Sequence, residues 1–519
     1  MNWKRPLSLT LAAATLGVSL AACGAPAATT PEASATPAAE AQNLAAQSVK
    51  APKYVFLFIG DGMSYPQIQS TADYLGALKD GDYWQAEPSL DDNGGAVLDG
   101  PSYLNFMNFE AAGSAVTYDS NSFCPDSAST ATSISTGYKT YSGTINMDET
   151  GTTAYETIAE KVHDQLGMKV GVISSVNLNH ATPAAFYAHQ ASRNDYYEIG
   201  LELVDSGFEY FAGGGLLKPT GPDKDKEDLY ALAEKAGYQV VKTQAEAEQV
   251  TSGPVVIVDE HLADGDAMAY ELDRTDDMWA LADYVEKGIE VLDNEKGFFM
   301  MCEGGKIDWA CHANDAAASI HDTKAMADAV QVAIDFAREH ADETLILVTG
   351  DHETGGLTIG FAGTDYDTYL NLLERQKISF AKYDSDYVAA YKENKTPFET
   401  VLADIETLFG LKVQGEEGDK LVLTPYELSQ LKTAYEKSVH ETATGMDGQQ
   451  EYVMYGTYEP LSVTITHILN NKSGVSFTSY SHTGLPVAVL AHGLNAEQFN
   501  GYYDNTKIFT KLADMLGVQ

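Results

Sequence analysis

Asp126-Ser127-Ala128 heads a run of small residues that ends at Gly137. A serine opening such a helix lies in the positive field of the helix N-terminus, where anions bind readily. Alone the triplet says little, because Ser and Asp cap ordinary helices everywhere. Its company says more. Carboxylates and histidines recur just after apolar runs: Asp61, Glu303, Asp308, His312, Asp351, His352 and His482. That set can hold two or three divalent ions beside an activated serine, which is the equipment of phosphoryl transfer.

Each piece has its own logic. Ile59-Gly60-Asp61-Gly62-Met63 puts a carboxylate on a tight turn after a strand, where it can bridge two cations. Glu303 ends a buried strand, and Asp308 and His312 stand four apart, so one helical turn presents both to one metal. Asp351-His352 lies on a loop after another strand, and Ser481-His482-Thr483-Gly484 precedes the final strand. In His180-Ala181-Thr182-Pro183, Thr182 offers a hydroxyl suited to a hard cation such as magnesium. Arg193 can grip two phosphoryl oxygens with its planar fork, the alternative being a surface ion pair with Asp195 or Glu198. A single histidine is more often structural. Together, acids and histidines at strand ends beside a helix-start serine reverse that balance.

Something must carry these residues to one place. Continuous apolar runs at Tyr54–Ile59, Val170–Ile173, Val255–Val258, Phe298–Met301, Leu345–Val348 and Val487–Leu490 predict strands buried on both faces. Amphipathic stretches such as Met278–Leu292 and Ala316–Ala337 predict helices between them. The alternation predicts an α/β fold, a mostly parallel central sheet flanked by helices, with the working site outside the carboxyl ends of the strands. Residues of about 362–475 read as a polar, tyrosine-rich helical insert before the last strands, either a lid or passive bulk. Thr396-Pro397-Phe398-Glu399 and Thr424-Pro425-Tyr426-Glu427 within it read as capping boxes with proline at the first helical position.

The chain closely resembles the alkaline phosphatase family. The matching pieces are Gly60-Asp61-Gly62-Met63, Asp126-Ser127-Ala128, His180-Ala181-Thr182-Pro183, Arg193, Glu303-Gly304 with Asp308 and His312, Asp351-His352, and His482-Thr483-Gly484. The resemblance implies a phosphomonoesterase with Ser127 as nucleophile and Arg193 as phosphate clamp. It implies one zinc (Zn2+) on Asp308, His312 and His482, and a second on Asp61, Asp351 and His352. A magnesium (Mg2+) would lie on Asp61, Thr182 and Glu303. Asp126 would orient Arg193 or cap its helix rather than bind metal. Two positions depart from the enterobacterial pattern, which carries Asp at the place of His180 and Lys at that of Trp309, and they look more like marine bacterial members. The identity of the third ion is thereby left open. The rival readings are a phosphodiesterase or sulfatase of the same superfamily, and a surface lipoprotein that binds phosphate or calcium without turnover. Cys124-Pro125-Asp126-Ser127 does not supply the Cys/Ser-x-Pro-x-Arg signature that a sulfatase needs.

The N-terminus has a different purpose. Lys4 and Arg5 precede an apolar stretch too short to span a bilayer, and Leu20-Ala21-Ala22-Cys23 looks like a lipobox. We read 1–22 as a lipoprotein-type signal peptide, Cys23 as the lipidated residue, 23–50 as an Ala/Pro/Thr tether and 51–519 as the catalytic domain. The address is extracytoplasmic: lipid-anchored at an outer membrane or cell surface, otherwise periplasmic or secreted. With 32 basic and 75 acidic residues, net charge −43, the body is a poor partner for nucleic acid or anionic membranes. An anionic substrate therefore needs local positive charge for capture. A homodimer is left open. Cys124, Cys302 and Cys311 read as small buried hydrophobes, with a Cys302–Cys311 disulfide as the alternative.

Overall fold

A computed structural model describes residues 50–80 and 100–519. The expected signal peptide, Cys23 and nearly all of the tether lie outside the described residues. Strands β1 (Tyr54–Gly60), β2 (Ala111–Val116), β3 (Lys169–Ser174), β4 (Tyr210–Gly213) and β5 (Gln239–Val241) come first. They are followed by β6 (Val255–Val258), β7 (Phe298–Gly304), β8 (Thr344–Gly350), β9 (Glu353–Thr354) and β10 (Thr358–Ile359). The last are β11 (Val475–Ser476), β12 (His482–Thr483), β13 (Val487–Gly493) and β14 (Gly501–Asp504). A 10-stranded sheet has the order β14-β2-β13-β8-β1-β7-β3-β4-β6-β5. It is parallel except at β13, which runs against both β8 and β2. The mostly parallel α/β expectation holds.

β1 shows why. All of Tyr-Val-Phe-Leu-Phe-Ile-Gly is buried, so both faces of the strand are covered. Val55, Leu57 and Ile59 join one core, against the helices Ser127–Thr136 and Thr506–Leu516. Phe56 and Phe58 join the other, against Leu281–Leu292 and Ala316–Glu339. Each large apolar side chain sealed in this way contributes about 1.5–3 kcal/mol. β1 and β8 pair in register, Gly60 opposite Gly350, and β1 and β7 likewise, Gly60 opposite Gly304. Asp61, Asp351 and Glu303 are therefore delivered together to the carboxyl ends of three adjacent central strands.

Every apolar run expected as a strand is one; Val255–Val258 matches its strand residue for residue, and the other five are extended by one to three residues. β2, β4, β5 and β14 carry weaker signals and were not expected; β2 is Ala-Ala-Gly-Ser-Ala-Val, with little large apolar content. β13 is consequently not the final strand, since β14 follows it.

The insert is helical, and its neck is narrow. β10 pairs with β11, Thr358 opposite Ser476 and Ile359 opposite Val475, and Gly360 N–H donates to Gly474 C=O at 2.6 Å. Leu461, Ile465 and Leu469 of the insert share a core with Tyr74, Ala77 and Ile320 of the body. The Thr424 capping box forms with Glu427, and Pro425 opens that helix. The Thr396 box does not form. Thr396 N–H instead closes the preceding helix on Tyr391 C=O at 3.2 Å, and Pro397 becomes the cap of Phe398–Phe409. Cys302 and Cys311 are buried free thiols, as hydrophobes should be, but Cys124 is exposed on a loop, contrary to expectation. Among the described residues no helix is long and apolar enough to cross a membrane.

Candidate metal centre and nucleophile

Ser127 is the first residue of the helix Ser127–Thr136, whose residues are all buried. Asp126 caps it, its side chain accepting from Ser129 N–H at 3.1 Å. Ser127 Oγ lies 3.2 Å from His352 Nε2 and 3.4 Å from Asp61 Oδ1. His352 Nε2 lies 3.3 Å from Asp61 Oδ1 and 3.4 Å from Asp351 Oδ2. Asp351 is held by Gly62 N–H at 3.1 Å, by His352 N–H at 2.9 Å and by Thr130 Oγ1 at 3.0 Å. Gly62 has φ +70°, and a Cβ there would stand 2.8 Å from Thr354 Oγ1, so only glycine fits the turn.

A second group faces the rim. Asp308 and His312 lie on the helix Lys306–His312, with Asp308 Oδ2 and His312 Nε2 at 3.3 Å. His482, on β12, brings its Nε2 to 3.0 Å from His312 Nε2 and 3.6 Å from Asp308 Oδ1. His312 Nδ1 donates to Tyr480 C=O at 2.6 Å, and His482 Nδ1 to Pro125 C=O at 2.5 Å. Carbonyls only accept, so each Nδ1 carries a hydrogen and each ring turns its Nε2 inward. Two inward nitrogens beside the Asp308 carboxylate are a donor set that suits a divalent cation.

The third group is Asp61, His180 and Glu303, with Thr182 Oγ1 3.4 Å from Asp61 Oδ2. Glu303 accepts a short hydrogen bond from Ser174 Oγ, while its Oε1 is buried with no partner among the described residues. Arg193 donates through one terminal nitrogen to Asp126 Oδ2 at 2.9 Å and through the other to His180 Nε2 at 3.2 Å. Asp126 thus both caps the helix and orients Arg193. Burial, then Arg193, brings the His180 pKa down to about 3, so the ring is neutral. With Nε2 accepting from Arg193, Nδ1 bears the hydrogen and offers no lone pair to a cation. Trp309 packs edge-on against His180, ring centroids 5.9 Å apart.

Electrostatics favour cations throughout. Burial, then Asp351, Asp308 and Glu303, pushes the Asp61 carboxyl well above its ordinary range. Burial likewise raises Glu303 to about 8 and Asp351 to about 7. Burial also opposes charge on Asp308, but His312, then His482, hold it well below the usual range. Three groups whose acid and imidazole atoms lie within 4.8 Å of one another meet around Ser127: Asp61 with Asp351 and His352, Asp308 with His312 and His482, and Asp61 with Glu303 and the adjacent His180, where the two acids are the donors. Crowded carboxylates, inward imidazole nitrogens and an orphaned Glu303 oxygen fit divalent ions. The last group is oxygen-rich and suits a hard one.

All the site residues expected from sequence within the described chain converge here. Supporting residues were missed. Thr130 is one helical turn beyond Ser127, a spacing that could have flagged it. Thr354 donates to Asp308 Oδ1 at 2.5 Å. Glu353, fully buried, accepts from Gln67 at 2.8 Å, from the amides of Gly356 and Leu357, and from Thr483, tying β9 to β12.

Residues 52–518 match the family model described as alkaline phosphatase. Alkaline phosphatase 4 of Bacillus subtilis is 30% identical over 463 residues, 87% of this chain and 86% of the relative. A cold-active alkaline phosphatase from Shewanella sp. superposes with TM-score 0.68 at 28% identity, over 89% of this chain and 99% of that one. The alkaline phosphatase of Thermus thermophilus gives TM-score 0.72 at 22% identity, over 93% and 96%, a likeness of fold.

Proposed function

The chain belongs to the alkaline phosphatase family, whose members are metal-dependent phosphatases, and from that premise we propose that it releases inorganic phosphate from small phosphomonoesters through a phosphoserine on Ser127. The observation that carries this reading is Ser127 Oγ at a helix N-terminus, within 3.4 Å of both Asp61 and His352. Asp308, His312 and His482 would hold one zinc, Asp61, Asp351 and His352 another, and Asp61, Thr182 and Glu303 a magnesium. When bound, these ions supply charge that activates the serine hydroxyl and balances the attacking and leaving oxygens.

The chain's own groups do the rest. Arg193, fixed by Asp126 and His180, keeps further N–H donors for two phosphoryl oxygens. Ser127 Oγ forms the bond to phosphorus as the ester P–O bond breaks and the alcohol departs. Water then cleaves the phosphoserine, freeing phosphate and restoring Ser127. The positive end of the helix favours the anion at each stage. Residues 51–519 are the catalytic domain in this reading, with the insert as an accessory cap. Cys23 is the lipid anchor, which the mass of the mature N-terminus tests.

Ser127→Ala is expected to abolish covalent labelling by radioactive phosphate at acidic pH while metal content stays near wild type. Label recovered on another residue overturns the nucleophile. Preferential turnover of a diester or sulfate ester over a chromogenic monoester overturns the substrate class.

A further inference from the structure

A cavity of about 360 Å³ opens directly off the site, with Arg193, Asp308 and His312 at one end. Its other walls are aromatic: Trp309, Tyr270, Phe380 and Tyr458. Tyr270 and Phe380 meet edge to face with centroids 5.7 Å apart, and Phe380 and Tyr458 do so at 5.8 Å. The wall is braced from behind. Lys306, wholly buried, pairs with Asp264 at 2.7 Å and sets its ammonium 4.1 Å from the Tyr270 ring centre and 4.6 Å from that of Trp309. Such cation–π contacts stiffen both rings. Gly265 lies flush on Trp309, since a Cβ there would come within 2.9 Å of the indole.

Phe380 comes from the insert, and two acids of the body fix it, Asp315 fully buried and Asp273 half-buried. Asp315 accepts from Phe380 N–H at 2.9 Å and from Gln376 at 2.8 Å, and Asp273 accepts from Ser379 N–H at 2.9 Å. Tyr270 Oη is buried with no partner among the described residues, a polar handle left in the wall.

Resting on the phosphatase reading, we propose that this cavity receives the alcohol portion of the substrate and selects monoesters whose leaving group is a planar aromatic ring. A dry cavity of about 150 Å³ already holds benzene, so the space here takes a one- or two-ring aryl group. A ring seated edge to face against these walls gains about fivefold to tenfold in affinity over a short alkyl chain. Rings packed this firmly favour a rigid flat occupant over a flexible polyol.

Non-hydrolysable phosphonates separate binding from leaving-group reactivity. Phenylphosphonate is expected to compete with a chromogenic monoester about tenfold more tightly than methylphosphonate, with inorganic phosphate as reference. Phe380→Leu, which keeps apolar bulk, and Tyr458→Leu should each shrink that ratio of inhibition constants to about twofold or less, by weakening phenylphosphonate while leaving methylphosphonate as it was. Equal affinities of the two phosphonates in the wild-type protein, with phosphate still competing, overturn the pocket alone. Failure of all three anions to compete overturns the phosphatase reading with it.

Discussion

The two ligand groups flanking Ser127 are built by different means. Asp61, Asp351 and His352 are wholly buried and follow directly on β1 and β8, neighbours paired residue for residue. Their meeting is a consequence of strand register, which cannot slip without turning buried faces outward. Asp308, His312 and His482 come from a short helix and a two-residue strand, and both histidines are only half-buried. His482 arrives only after the chain has completed the insert. One group is set by the sheet, the other by the docking of a distant segment. The first should be rigid and slow to exchange its ion, the second more easily emptied.

The largest test removes Asp61, a carboxylate that belongs to two ligand groups at once. Asp61→Ala is expected to lower kcat/KM by about 1,000-fold or more and to lose two ions. His482→Ala should cost about 100-fold and one ion. Metal analysis beside steady-state kinetics reads both, and equal loss of all ions in both variants breaks the distinction. A chelator should likewise empty the wild-type protein in two phases, with the fast phase missing in His482→Ala.

A smaller effect comes from the insert. Leu469→Ala empties a fully buried site between insert and body and should cost about 2–5 kcal/mol in unfolding free energy. Because the insert precedes His482, the variant should also hold its rim ion more weakly than its buried one. Uniform weakening would show that register alone positions both groups.

The smallest effect is a control that belongs to neither group. His189 lies 3.4 Å from Glu160 and 3.3 Å from Glu202. Burial opposes its charge, yet hydrogen bonds to those two carboxylates raise its pKa to about 10. A raised histidine stabilises the fold fully below its unfolded value of about 6.5 and loses that contribution as pH climbs through about 10. The loss should be about 1–2 kcal/mol, since the site is partly screened. His189→Gln should flatten the alkaline limb of the unfolding profile with metal content unchanged. An unaltered limb that tracks metal release would place alkaline sensitivity at the rim group instead.

The same division explains what could be read from the sequence. Asp61, Glu303 and Asp351 were legible because each follows a dense apolar run, and strand ends of a parallel sheet converge by rule. Asp308 and His312 were legible by helical spacing. Bringing His482 to them needed the family resemblance, because no local pattern reports a contact across 170 positions. β2 was illegible for the opposite reason: its small residues suit a close approach and leave no hydrophobic signature. The Thr396 box failed because the preceding helix claimed its N–H first. The aromatic cavity was equally hidden, since Tyr270, Trp309, Phe380 and Tyr458 are each unremarkable where they stand in the chain.

The pinched neck of the insert has a consequence for inheritance. Where a chain departs and returns across one short ladder, the parts beyond it that face away from the shared core can lengthen, shrink or be exchanged without moving a strand of the main sheet. Phe380 and Tyr458 lie beyond it, whereas Ser127, Arg193 and Asp61 do not. Half of the aromatic grip on the leaving alcohol therefore sits on a length of gene separate from the machinery that breaks the ester bond, while Tyr270 and Trp309 stay with that machinery. A lineage can retune what it accepts while leaving untouched how it reacts.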